Sequence, residues 1–283
     1  MDAASAGKLT SLIHSYYPSL TKSEQKVAST VLSDIESVLY SSVTDLADKS
    51  GVGETTALRF CRKMGYKGYQ EFKLAIAKDL SGTSVGEGDK EEEDSNSVPH
   101  SIAKYAKNAL DETLQLIEED TIERCLDALQ KANHVYFFGV ATSGITAQDA
   151  KLRFLRTGLR TDAITDPHVQ SMTASTLGVG DVVVGISFSG STKDTVDAVQ
   201  LAKENGATII VLTYYARSPI TKLADYVLLN SGKQSPFEGG SISAKISQLY
   251  VIDILCTGLA VREKEAAIAM KKKTADAVVD KSY

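Results

Sequence analysis

The 283-residue chain carries 43% hydrophobic and 24% charged residues, a balance that excludes a disordered or fibrous polypeptide and allows two domains or one large one. Its formal net charge of −5 gives no global basic signal, so any surface for an anionic polymer has to be local. The start, MDAASAGKLT, has neither a basic nor an apolar leader segment, no run approaches the roughly 20 apolar residues of a membrane span, and Cys61, Cys125 and Cys256 form no Cys-x-x-Cys pair. A cytoplasmic chain with plain buried thiols, no cofactor, no metal site and no membrane partner is expected.

LTKSEQKVASTVLSD opens with a capping-box pattern, Thr21 to Glu24, and Val27, Val31 and Leu32 then form one apolar face. In VTDLADKSGVGETTALRFCRKMG, small Ala47 precedes Gly51, the spacing of a helix-turn-helix: the small residue lets two helices approach and the glycine permits the turn. Leu46, Val52, Ala57 and Phe60 can form the buried seam. The second helix is expected from Glu54 to about Met64, exposing Glu54, Thr55, Thr56, Arg59, Arg62 and Lys63, with its N-terminal residues meeting base edges in a major groove. From Arg59 to Lys78, the cations Arg59, Arg62, Lys63, Lys67, Lys73 and Lys78 face only Glu71, which is a local basic surface for phosphates. A small helical bundle with a solvated charged face is the alternative.

SGTSVGEGDKEEEDSNS, residues 81–97, has Val85 as its one large apolar residue among Gly, Ser and acids, and reads as a solvated acidic linker. We therefore expect an all-α domain over 1–80 and, from 98 to 283, an α/β domain with flanking helices.

Past the linker, helices are expected around Ser101–Ile117 and from Asp120, with Glu123 as its capping partner. Five apolar runs follow: HVYFFGV, LRTDAIT, DVVVGIS, ATIIVLT and YVLLN, separated by helical segments. Such alternation implies a parallel sheet covered on both faces, commonly in the flavodoxin-like order 2-1-3-4-5. That order sets the C-terminal ends of strands one and three side by side, so that ATSG (141–144, ahead of a helix from about Ile145) and SFSGST (187–192) open next to each other at helix N-termini. Free N–H groups and hydroxyls there suit an anion. The second loop is no P-loop, and Gly185, Ser187 and Ser189 do not make the G-x-S-x-G of a nucleophile elbow. Serines serving only as helix caps near Thr192 would explain one or two of these hydroxyls.

FGVATSG together with DVVVGISFSGSTKDTVDAVQLAKENGATIIVLT resembles the sugar isomerase (SIS) phosphosugar-binding domain, and VTDLADKSGVGETTALRFCRKMGYKGYQEFK resembles the helix-turn-helix of RpiR-type regulators, whose members join the two modules in this order. The resemblance implies a transcription factor whose operator binding responds to a sugar phosphate. Residue by residue it implies phosphate contacts from Ser143, Ser187, Ser189 and Thr192, with Gly190 and Ser191 in the same loop. Gly53 departs from the family's frequent serine, GETT standing for SEAT, which leaves the base preference open.

Thr142 shares the first loop, and His168, Glu238, Ser243 and Lys245 are further candidates to reach the sugar; His14, His100 and His134 attract no functional reading. In SISAKISQLYVIDILCTGLAV, Ile246, Leu249, Ile252 and Leu255 form a stripe suited to core or subunit interface. Paired half-sites about one DNA turn apart call for a homodimer or homotetramer. The alternative function is an aldose–ketose sugar-phosphate isomerase, for which His168, Glu238 and Lys245 are the available bases.

Overall fold

The computed structural model describes residues 8–83, 98–232 and 241–281. The chain divides into two compact units, and the described residues of the first end at Ile102.

The first unit is helical: α1 (Lys8–Tyr16), α2 (Lys22–Ser33), α3 (Ile35–Leu39), α4 (Val43–Lys49), α5 (Glu54–Lys63) and α6 (Tyr69–Thr83). Thr21 and Glu24 form the expected capping box at α2, and Ser42 with Asp45 forms a second one at α4. Gly51 takes φ +61°, the left-handed value that the α4–α5 turn demands and that side chains resist. Val27, Val31, Leu46, Ala57 and Phe60 are buried with Phe72 and Ile76 of α6, Val52 packs at the margin, and Phe60 meets Phe72 edge-on at 5.6 Å. α6 continues to Thr83, three residues past the expected boundary at 80, and the remainder of the acidic stretch, 84–97, lies outside the described residues.

The boundary falls inside α7 (Val98–Leu116), so the second unit begins at Ala103 within that helix and continues with α8 (Glu119–Gln130). Asp120 does not cap α8: the helix starts one residue earlier, after Glu118, and Asp120 lies inside its first turn. The sheet comprises β1 (His134–Phe138), β2 (Thr161–Ile164), β3 (Asp181–Ile186), β4 (Thr208–Thr213) and β5 (Tyr226–Leu229), all parallel in the order 2-1-3-4-5. Alternate residues feed opposite faces. Val135, Phe137, Val182, Val184, Ile210 and Leu212 pack with α8, α9 (Ala141–Leu155) and α12 (Ile242–Arg262), while Phe138, Val183, Ile209 and Val211 pack with α10 (Pro167–Ala174) and α11 (Lys193–Glu204). The β4–β5 connection departs from the expected alternation, because it holds only the 3-10 turn Ile220–Lys222. A last helix, α13 (Lys264–Asp276), follows α12.

Helix α12 is long and apolar enough, by length and composition, to cross a membrane, although Lys245, Gln248 and Asp253 interrupt its apolar residues. Its buried residues Val251, Ile252, Leu255 and Leu259 belong instead to the sheet's core. Ile246 and Leu249, expected in that stripe, are only half-buried, since the buried face also takes the polar Ser247 and Gln248. Among the thiols Cys61 and Cys125 are buried, but Cys256 is half-exposed.

Candidate functional site

Helix α5 starts at Gly53 with no side-chain cap and carries Thr55, Arg59, Arg62 and Lys63 exposed. Two expected positions differ. Glu54 is half-buried and accepts a hydrogen bond from Thr44 Oγ1 of α4, which ties it to the neighbouring helix, and Thr56 is half-buried as well. Lys73 also leaves the expected basic surface: it is buried on α6, donates to the Ser41 carbonyl at 3.3 Å and lies 5.2 Å from the Tyr69 ring centroid. Burial lowers its pKa to about 8.

Glu24, read from sequence only as a cap, lies beneath two cations of α5. Its side chain is 3% exposed; Lys63 Nζ donates to Oε2 at 2.8 Å and Arg59 Nε stands 3.6 Å from Oε1. Burial pushes this carboxyl up, but the bond from Lys63, those from Thr21 and the Lys63 charge outweigh it and bring the pKa to about 2.

In the second unit the register sets Phe138 of β1 opposite Gly185 of β3, so the segments following these strands emerge side by side. Ser187 remains strand-bound through its N–H to the Leu212 carbonyl, 3.1 Å, and is buried. Gly190 closes the turn with φ +61°; a Cβ there would stand 2.1 Å from Ser218 Oγ. Thr192 is the N-cap residue of α11, yet its side chain makes no capping bond, because Oγ1 is 3.1 Å from Ser187 Oγ. Ser189 Oγ accepts from the Ser191 N–H, and Ser191 Oγ donates to the Ser189 carbonyl at 3.1 Å. The Ser187 and Thr192 hydroxyls therefore bond one another, those of Ser189 and Ser191 bond the loop's own backbone, and none of these bonds caps α11. Thr195, one turn into α11, has a buried hydroxyl with no partner among the described residues.

The segment ATSG is not a loop but the first turn of α9, which starts at Ala141 rather than near Ile145. The change of direction is taken up by its first residue, Ala141, at φ +50°, a conformation costly for a residue with a Cβ. Thr142 is exposed and Ser143 half-buried in that turn. Lys245 reaches them from α12: its Nζ donates to the Thr142 carbonyl and, at 2.6 Å, to Thr146 Oγ1, which in turn donates to Gln248 Oε1 at 2.8 Å. Burial lowers the Lys245 pKa. Ser243 is half-buried on the same helix, His168 is exposed on α10, and Glu238 lies outside the described residues.

Sequence reasoning missed Gln170. It is fully buried on α10 and donates to the carbonyls of Gly139, 3.2 Å, and Ile164, 2.8 Å, tying together the ends of β1 and β2. Thr146 and Gln248 were missed too. None of the three sits in a motif, so only their contacts reveal them.

The described residues include no group of three or more His, Cys, Asp or Glu able to hold a metal. A groove of about 620 Å³ runs between α9, α12 and α13, lined by Arg153, Asp253, Cys256 and Ile268, and touches none of the loop hydroxyls.

With this geometry in view, the comparisons are consistent with one another. The family description "Helix-turn-helix domain, rpiR family" matches residues 7–83 and the SIS domain matches residues 128–258. An uncharacterized HTH-type transcriptional regulator of Haemophilus influenzae is 38% identical over 98% of both chains, and one of Caldanaerobacter subterraneus is 41% identical over 84% of this chain and 85% of its own. Among solved structures, the Vibrio vulnificus NanR protein complexed with ManNAc-6P superposes with a TM-score of 0.87 at 28% identity, covering 97% of this chain and 99% of its own. The helical unit with its two-helix motif and the 2-1-3-4-5 sheet are the two modules those matches describe, and the chain belongs to the RpiR family of helix-turn-helix transcriptional regulators with a SIS domain.

Proposed function

We propose that this regulator binds operator DNA through α5 and that a phosphorylated sugar, seated between the Ser187–Thr192 loop and the first turn of α9, modulates that binding. The observation that carries the reading is the pairing of Phe138 with Gly185, which brings two helix N-termini and their hydroxyls to adjacent strand ends. Ser143, Ser187, Ser189, Ser191 and Thr192 would hold the phosphate, and Gly190 lets the chain turn around it. Lys245 would offer its charge and Thr142 its first-turn position. His168 and Glu238 remain candidates for the sugar's hydroxyls.

ManNAc-6P, the ligand in the NanR complex, is the first compound to test. A thermal-shift screen of sugar phosphates should single out one or a few that raise the melting temperature, as a ligand of the folded state must. The same compounds should change the mobility of a protein–DNA complex. A set with no shift and no effect on DNA would remove the effector reading.

The SIS unit acts here as a sensor rather than an isomerase. Aldose–ketose isomerisation needs a positioned base; of the candidates Lys245 already donates to two oxygens, His168 is exposed on α10 and Glu238 lies outside the described residues, while the matched relatives carry the description of transcriptional regulators. Turnover of a sugar phosphate would reverse this assignment. We read the active species as a homodimer or homotetramer, supported by Ile145, Leu152 and Leu155 on α9, Val261 on α12 and Ile268 on α13, all exposed.

A further inference from the structure

We propose that Glu24 is a positioning residue for DNA reading: a fixed internal anion that holds Arg59 and ties down Lys63, so that α5 discriminates between sequences rather than attracting any phosphate backbone. The proposal rests on the operator-binding reading above and adds a residue to it.

Three observations carry it. First, the carboxylate is buried and held by the capping box. It accepts from the Thr21 backbone N–H at 2.8 Å, while Thr21 Oγ1 accepts from the Glu24 N–H at 3.3 Å, so the capping box fixes it at the start of α2. Second, Arg59 and Lys63 are four residues apart on α5 and converge on the two oxygens of this one carboxylate. Lys63 Nζ also donates to the Ser19 carbonyl at 3.2 Å, which commits two of its three N–H groups inside the protein. Third, among the described residues Arg59 is engaged along its Nε edge alone and its side chain stays 59% exposed, so both terminal amino groups can meet an acceptor pair such as guanine O6 and N7. A guanidinium braced at one edge approaches a base with less freedom to lose than a free one.

The consequence separates affinity from discrimination. Each cation that neutralises a DNA phosphate releases counterions and steepens log K against log salt by about 0.9. With Glu24 in place, Lys63 adds nothing to that slope. Removing its charge frees both cations for phosphates.

The test is Glu24→Gln in the full chain, since glutamine also completes a capping box at this position. Two probes serve: a duplex selected by the wild-type protein from a random-sequence pool, and poly(dI-dC). The expected result is a salt slope steeper by about one to two, poly(dI-dC) affinity raised about three- to tenfold at low salt, and the ratio of selected to non-selected affinity lowered about tenfold. Arg59→Lys, which keeps the charge and loses the fork, should lower the ratio with the slope unchanged. Should Glu24→Gln not fold, Lys63→Met decides: an unchanged slope supports the proposal and one shallower by about one overturns it. A folded Glu24→Gln protein that loses affinity equally for both duplexes at constant slope shows a purely structural glutamate and ends the proposal. Wild-type protein that selects no duplex at all would instead withdraw the operator reading of α5.

Discussion

The two regions proposed to meet ligands are prepared in opposite ways. On α5 the functional groups are charged, and a buried opposite charge, Glu24, holds two of them in place before any DNA arrives. In the Ser187–Thr192 loop the groups are neutral hydroxyls satisfied within the loop, Ser187 with Thr192 and those of Ser189 and Ser191 with the loop's backbone. The difference suits what each is proposed to bind. DNA presents a dense and indiscriminate charge, so a reader gains by restraining its own cations. A small dianion needs many donors converging on a few oxygens, and hydroxyls can rotate from each other to the ligand without leaving a buried charge behind.

The largest effect is expected from Gly190→Ala. Left-handed backbone strain and the collision with Ser218 Oγ together should cost about 2 to 5 kcal/mol and distort the loop. Calorimetry of the unliganded protein should show a lowered melting temperature for the SIS unit, and the sugar-phosphate shift should vanish. Ser187→Ala and Ser189→Ala act on the ligand rather than the fold: each should weaken effector affinity roughly ten- to hundredfold by isothermal titration, with operator binding retained. Equal affinities in both variants would mean that these hydroxyls serve only one another.

On the other side of the comparison, Arg59→Ala should weaken operator binding about five- to hundredfold while leaving effector titration unchanged. Loss of both activities together would indicate misfolding. Acid titration then isolates the buried anion. The Glu24 carboxyl lies at about 2 in the folded chain against an ordinary 4.5, so the stabilisation it brings is complete above pH 4.5 and is lost as pH falls towards 2. Melting temperatures across that window should fall more steeply for the wild-type protein than for Glu24→Gln.

The smallest effect concerns Lys73, a cation of the same unit that is buried on α6. Its pKa of about 8 lies below the ordinary 10.5, so the folded chain holds fewer protons than the unfolded one between these values and stability rises with pH there. Lys73→Met should flatten that rise and lift the melting temperature at pH 7 by a few degrees.

The sequence by itself determined everything that repeats along the chain. The apolar seam of Leu46, Ala57 and Phe60 on either side of the glycine at 51, and the five apolar runs, identify a two-helix motif and a parallel sheet, because backbone hydrogen bonding and one-sided burial act on near neighbours. The hydroxyl-rich 187–192 segment was legible for the same reason, since it directly follows a strand. What only the tertiary structure decided are pairings between distant positions: Glu24 under Arg59 and Lys63, Lys245 on Thr142 and Thr146, Gln170 across the ends of β1 and β2, and Lys73 turned into the core. A glutamate at the third position of a helix or a lysine in a basic stretch carries the same local pattern whether it faces water or a partner. Its role is set by which elements pack over it, and burial then fixes whether its charge is compensated, shifted or left for a ligand.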